Sequence, residues 1–331
     1  FSGKFMKRCL IFLLKIVVTI ALAYIVFRNI ANTPGFDSND LEKVLSQIKV
    51  WPLFVALLCL LVSNLTGCLQ WKTLLKTQGV RLSYFHVLRL YFVGLFFNNF
   101  MPGNVGGDVK KVYDIRVQGG VDSVGAGLTA TFFDRLFGFF FLTLLALGVG
   151  SLFFIHDPEQ RAFIIPSLWV FLGFCVLFAA IFSRRIGESL AKLLALIFPE
   201  NINTRVLRML ERFRSFRIWN LWGKLFVLST ITQVLRVLVH YFCGIALGLD
   251  IAVSWYFFYI PLVALVSALP ISIGGFGPRE LLAQSLFAKA GVPVLESVIV
   301  QLLAYLAGLV ISLFGAIFFV LDNGKKNKEA K

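Results

Sequence analysis

Long apolar stretches separated by short polar ones dominate this chain. A helix needs ~20 mostly apolar residues to cross a bilayer core. Six stretches reach about that length: 10–27, 51–69, 136–155, 163–182, 225–249 and 294–321. Each is continuous rather than alternating, so it reads as a helix and not as a strand of a membrane barrel. Two further runs are too short to count with them. Residues 90–101 end at Pro102-Gly103, and 255–269 are interrupted by Pro261 and end at Pro270. Apolar runs of ~10–14 residues are more often re-entrant than spanning.

Composition narrows the class. Of 331 residues, 58% are apolar, 15% are charged and 36 are Phe. Soluble domains carry about 25% charged residues, and a chain this apolar has too few polar groups to face water. A soluble enzyme, a disordered chain and a disulfide-stapled secreted module are all excluded. The five cysteines (Cys9, Cys59, Cys68, Cys175, Cys243) lie inside apolar stretches with no CxxC, and read as small buried hydrophobes. The chain opens Phe1-Ser2-Gly3-Lys4-Phe5, and Met6 is read as the native start. The first apolar stretch has no cleavage site after it and reads as a retained helix.

The net charge is +15. In a soluble protein that excess would suggest nucleic acid; in a membrane protein it marks the cytoplasmic side. Lys4, Lys7, Arg8 and Lys15 put the N-terminus inside. Lys72, Lys76, Arg81 and Arg89, then Lys110, Lys111 and Arg116, then the segment 184–224, then Lys325, Lys326, Lys328 and Lys331 all fall on the same side if both short runs dip in and return, or if both span. Their length favours re-entrance, which makes both termini cytoplasmic. The segment 184–224 carries nine basic residues against three Glu. Val206, Leu207, Leu210, Phe213 and Phe216 give it an approximate apolar face, expected on the membrane surface. Topology accounts for the charge, so no nucleic-acid partner is expected.

The two short runs end in similar loops. One reads Pro102-Gly103-Asn104-Val105-Gly106-Gly107-Asp108; the other reads Pro270-Ile271-Ser272-Ile273-Gly274-Gly275-Phe276-Gly277. In both, a Gly-Gly pair follows four residues after the Pro. The first hairpin enters from the cytoplasm and the second from outside, an inverted pair of the kind that marks transporter binding sites. Irregular backbone cannot face lipid, so these loops must be buried or line a wet cavity. Asp108 is expected to cap a short helix running to Gly119-Gly120, and Pro278 to open one beginning at Arg279-Glu280. Free N–H groups at helix starts attract phosphate. The alternative is that Gly-Gly only permits tight turns or close packing.

Charges inside apolar runs add candidates. Arg236 falls near the middle of 225–249, with Gln233 and His240 on its face. A central Arg costs ~2.5 kcal/mol or more unless it is paired or wet. It is either a structural ion pair or an anion ligand. Asp134-Arg135 precede 136–155; with a helix starting near Ala126 they sit about two turns in. They diverge by ~100°, so each needs its own partner. Arg279, Glu280, Gln301, Tyr305, Asn98 and Asn99 are weaker candidates for the same cavity. No hydrolase triad, HExxH, Walker loop or dinucleotide fingerprint occurs. No catalytic residue, metal or cofactor is assigned.

Three ordered stretches carry a resemblance: Asn99 to Asp108, Thr129-Ala130-Thr131-Phe132-Phe133-Asp134-Arg135-Leu136-Phe137-Gly138, and Leu269 to Glu280. Together they resemble the lysylphosphatidylglycerol synthase transmembrane-region family, which includes the flippase half of the bacterial multiple peptide resistance factor. The resemblance implies lipid translocation between leaflets of a bacterial inner membrane. The chain stops at Lys331 without the synthase domain, so it is expected not to make the aminoacylated lipid.

The expected architecture is an all-α polytopic membrane protein with about six spanning helices and two inverted re-entrant hairpins, a pseudo-two-fold inverted repeat. Its halves are 1–160, with a hairpin near 90–118, and 161–331, with a hairpin near 255–290. The expected function is a flippase for a phosphate-headgroup lipid: phospholipid, aminoacyl-phospholipid or polyprenyl-phosphate lipid. Its partners are anionic-headgroup lipids, and a homodimer stays open. The binding set is Asn99, Asn104, Gly106, Gly107, Asp108, Asp134, Arg135, Gln233, Arg236, Gly274, Gly275, Gly277, Arg279, Glu280, Gln301 and Tyr305. The alternatives are a membrane-embedded transferase on a polyprenyl-phosphate lipid and a small-anion transporter.

Overall fold

The computed structural model describes residues 2–32, 37–100, 106–119, 122–183, 185–186, 188–189, 211–214, 216, 219–268, 272, 275–329. Asn104 and Gly274 lie outside the described residues, as do Val206, Leu207 and Leu210. The described chain is helical between short turns: α1 (Ser2–Ala31), α2 (Ser38–Ser46), α3 (Val50–Thr77), α4 (Tyr84–Phe100), α5 (Gly106–Gly119), α6 (Asp122–Phe153), α7 (Pro158–Phe182), α8 (Trp219–Ala246), α9 (Val253–Ser267), α10 (Pro278–Ala288) and α11 (Val294–Glu329).

Among the described residues, five stretches are long and apolar enough to cross a membrane: Val50–Thr77, Ser123–Phe153, Pro158–Phe182, Leu221–Ala246 and Val294–Leu321. The first expected span falls in α1, where Val17–Ala31 is a shorter apolar helix. Helix α7 keeps Ile165, Leu168, Trp169, Leu172 and Val176 exposed, the apolar outer surface a lipid-facing helix presents. Residues 38–46, between the first two apolar stretches, form α2; Asp37 accepts from Asn39 N–H, and Asp40 accepts from Asp37 N–H at 2.8 Å. Pro261 does not interrupt its run, because it lies buried inside α9. Neighbouring packing lets an apolar helix tolerate the hydrogen bond that proline removes.

The chain divides into two compact units that interleave in sequence. The first comprises 1–63, 89–110 and 234–331; the second comprises 64–88 and 111–233.

In the first unit, α10 packs against α9 and α11, and α1 touches α10 and α11. Phe287 of α10 meets Tyr256 and Tyr259 of α9 at 5.2 and 5.5 Å between ring centroids. Helix α11 also carries α4: Phe92 sits 6.3 Å from Phe314, and Phe97 sits 5.2 Å from Phe319. A side chain at Gly315 would come within 2.0 Å of Phe92 O, so glycine there lets the two backbones touch. Both short, broken helix pairs are thus mounted on α11.

The second unit uses the abundant Phe. Phe133 lies 4.6 Å from Phe216, Phe137 lies 5.4 Å from Trp222, and Phe140 lies 5.2 Å from Phe178. Phe213 and Phe216 are buried in this cluster rather than lying on a membrane surface. Arg212 fills the space a side chain at Gly125 would need, and its carbonyl accepts from Gln78 Nε2 at 3.3 Å. Aromatic packing outweighs the amphipathic pattern here, because burying a Phe removes far more apolar area than a one-sided surface contact does.

Candidate functional site

The break between α9 and α10 builds the charged part of the first unit. Gly275 and Gly277 have φ of +74° and +99°, conformations that side chains rarely adopt. Pro278 occupies the first helical turn of α10, as its fixed φ favours. Fully buried Glu280 reaches back and accepts from Gly277 N–H at 2.7 Å. The same carboxylate accepts from Arg279 Nε at 2.9 Å and from Arg279 Nη2. The Arg279 guanidinium lies over the Tyr305 ring of α11, 5.2 Å from its centroid. Arg279 is thus paired with an acid that is its own chain neighbour.

One turn along α11, Gln301 is fully buried, and its amide meets no hydrogen-bond partner among the described residues other than the His240 ring. It lies close to His240 of α8, as does Arg279. His240 Nδ1 sits 3.1 Å from Arg236 O. A carbonyl can only accept, so a neutral ring carries its proton on Nδ1 and leaves Nε2 as an acceptor. Arg236 is half-buried, and no hydrogen bond or ion pair holds its guanidinium among the described residues. Ser272 Oγ, Tyr256 Oη and Gln284 Nε2 are further buried polar atoms of this unit without partners among the described residues. Buried polar groups are nearly always satisfied, so each of these atoms asks for a ligand or water. Gln284 Oε1 accepts from Asn29 Nδ2 at 3.2 Å, which ties α10 to α1.

The break between α4 and α5 belongs to the same unit and is held differently. Gly107 N–H donates to Asn98 Oδ1 at 2.8 Å. A side chain at Gly107 would come within 1.7 Å of Gly94 O. Gly106 starts α5, so Asp108 sits buried in the first turn rather than capping the helix. Neighbouring Asn99 is half-buried on α4. The N–H groups of Gly107 and Gly277 are therefore already occupied by the protein's own side chains. An anion seeking them must compete with Asn98 and Glu280.

The second unit holds Asp134, Arg135 and Gln233. Helix α6 starts at Asp122, so Asp134 and Arg135 lie about three turns in, one more than the sequence suggests. Asp134 accepts from Gln70 Nε2 at 2.8 Å, and Gln70 Oε1 accepts from Ser229 at 2.7 Å. Gln233 Nε2 donates to Gly138 O at 3.2 Å. Trp71 Nε1 donates to Thr131 at 3.0 Å, and buried Lys111 lies over the Trp71 ring. Gln70, Ser229, Lys111 and Thr131 are absent from the sequence-based candidates. Their signal was polar residues four apart inside apolar helices, Thr66 with Gln70 and Ser229 with Gln233, which marks one inward face. Among the described residues, no three His, Cys, Asp or Glu side chains gather as a metal site.

Spanning helices, two broken helix pairs on one long helix and polar side chains turned inward define a multi-pass, all-helical membrane protein. Residues 12–315 match the family described as the lysylphosphatidylglycerol synthase TM region, and the chain belongs to that family. It is similar to a UPF0104 membrane protein of Methanothermobacter thermautotrophicus, 25% identical over 81% of this chain and 84% of the relative. It is also similar to the UPF0104 membrane protein PH1989 of Pyrococcus horikoshii, 25% identical over 86% of this chain and 90% of the relative.

Proposed function

We propose that the chain moves a lipid with an anionic or zwitterionic phosphate headgroup between leaflets, with the acyl or prenyl tails left in the bilayer. The observation that carries this reading is Arg236. A guanidinium in a spanning helix with no partner among the described residues is costly, and one turn along the same helix His240 lies close to buried Gln301. A phosphate headgroup supplies both the counter-charge and the missing hydrogen bonds. Arg279 is a weaker second contact because Glu280 already holds it. In this reading, α4–α5 and α9–α10 are re-entrant hairpins of opposite entry, and the basic loops and both termini face the cytoplasm. The chain performs no bond chemistry.

The test is a headgroup-accessibility assay in proteoliposomes containing phosphatidylglycerol, its aminoacylated form or a polyprenyl phosphate. Wild type is compared with Arg236→Ala. Selective flipping that the variant loses, with an unchanged or higher melting temperature, supports the reading. Unchanged flipping in the variant removes Arg236 from its role. No flipping of any lipid by folded protein turns the reading toward a transferase on a polyprenyl-phosphate lipid, tested next with sugar and acyl donors.

A further inference from the structure

Helices α3 and α8 run antiparallel in the second unit, and their hydrogen bonds set the register. Thr66 pairs with Thr232 at 2.8 Å, and Gln70 with Ser229 at 2.7 Å. One further turn in the same direction brings the end of α3 opposite Lys224. There a cleft of about 410 Å³ opens, lined by Leu69, Lys72, Thr73, Lys76, Thr77 and Lys224. That volume lies within the usual range for small-ligand sites. Among the described residues, the lining holds three ammonium groups and no carboxylate.

The lysines are not needed to finish the helix. Val80 N–H bonds Leu75 O and Gly79 N–H bonds Lys76 O, each at 3.0–3.1 Å, with Gly79 at φ +86°. That closing turn already satisfies the carbonyls a C-terminal lysine would serve. Thr73 and Thr77 donate to Leu69 O and Thr73 O, so their oxygens face the cleft as acceptors only. Lys72 rests over the Tyr84 ring at 5.8 Å. Lys76 and Lys224 are exposed and have neither an ion pair nor a hydrogen bond among the described residues.

Depth identifies the ligand. Helix α3 has 28 residues, about 42 Å of helix, against a hydrocarbon core of ~30 Å. About two turns are left over, and the lysines mark the end at which they emerge. The cleft therefore sits at the level of lipid headgroups.

We propose that this cleft binds the phosphate of an anionic lipid headgroup, at a site separate from the cluster around Arg236. The three ammonium groups take the phosphate, and Leu69 meets the start of the tails. The site makes no use of the residues assigned to translocation, so it stands or falls independently of that reading.

The test uses the full chain in detergent, with phosphatidylglycerol, phosphatidylcholine and inorganic phosphate titrated separately. Lipid binding is read by native mass spectrometry and phosphate binding by calorimetry. The variants are Lys72→Gln/Lys76→Gln/Lys224→Gln and the matching triple change to Arg. The expected result is phosphatidylglycerol binding roughly a hundredfold weaker in the Gln variant, retained in the Arg variant, with phosphatidylcholine bound equally by all. Equal phosphatidylglycerol binding by wild type and the Gln variant overturns the proposal. Phosphate binding lost in the Gln variant, without preference of wild type for phosphatidylglycerol, assigns the cleft to a soluble anion and overturns the lipid assignment. If the triple Gln variant does not fold, Lys224→Gln alone is expected to weaken phosphatidylglycerol binding about fivefold, and an unchanged value overturns the proposal.

Discussion

The two broken helix pairs carry the same spacing from Pro to Gly-Gly, yet different forces hold them. Between α9 and α10, glycine is needed for backbone conformation: Gly275 and Gly277 both have positive φ, and a buried carboxylate binds one of them. Between α4 and α5, described Gly107 is needed for space, against Gly94 O and Asn98. One break is an electrostatic lock of Glu280 with Arg279; the other is a close backbone contact closed by one amide. Equal spacing in sequence therefore does not imply equal energetics. It also makes the α9–α10 break the more sensitive of the two to loss of a single side chain.

The largest effect expected is at that lock. Glu280→Ala leaves part-buried Arg279 without its partner and frees Gly277 N–H. It should cost about 3–5 kcal/mol, seen as a collapse of the melting temperature of purified protein. A melting temperature near wild type would show that the lock is not structural.

Gly277→Ala should follow. It combines a positive-φ penalty of roughly 1–2 kcal/mol with a Cβ placed 2.4 Å from Leu22 Cβ. Gly107→Ala carries no φ penalty in this comparison but must push α4 away, costing about 1–3 kcal/mol. Thermal unfolding of the two side by side sharpens the contrast, and a larger loss at Gly107 would reverse it.

Asn98→Ala should be milder, about 1 kcal/mol, because one neutral hydrogen bond to a backbone N–H is lost. Arg279→Lys should be the smallest, within about 1 kcal/mol, through weaker stacking on Tyr305. Equal losses for Asn98→Ala and Glu280→Ala would mean that the two breaks are held alike.

Much of the framework was legible in the residues. Long apolar runs fix helices wherever water is absent, because backbone groups then have only each other to bond. Motif glycines and Pro278 marked where helices stop and start. Of the candidate residues, Arg236, Arg279, Glu280, Gln301 and Tyr305 all fall in one unit. Polar residues in apolar stretches are costly enough to be noticed singly. Their partners were not legible. Nothing in the spacing tells that Asp134 meets Gln70 rather than a cation, or that Phe213 and Phe216 enter an aromatic cluster. Both contacts join residues more than thirty positions apart, and a helix face constrains direction but not the neighbour that meets it.

By itself the sequence determined the solvent this protein lives in, the helices that follow from it and the places where those helices must break. These are local or additive properties: hydropathy summed over a window, a missing donor at proline, a missing Cβ at glycine. Only the tertiary structure decided which charges are compensated. Among the described residues, Arg279 is held by its neighbour and Arg236 by none, although each is one arginine near an apolar run. That difference depends on which atoms lie within hydrogen-bond reach after packing, and in a low-dielectric interior that distance decides whether a charge is part of the scaffold or is left for a ligand.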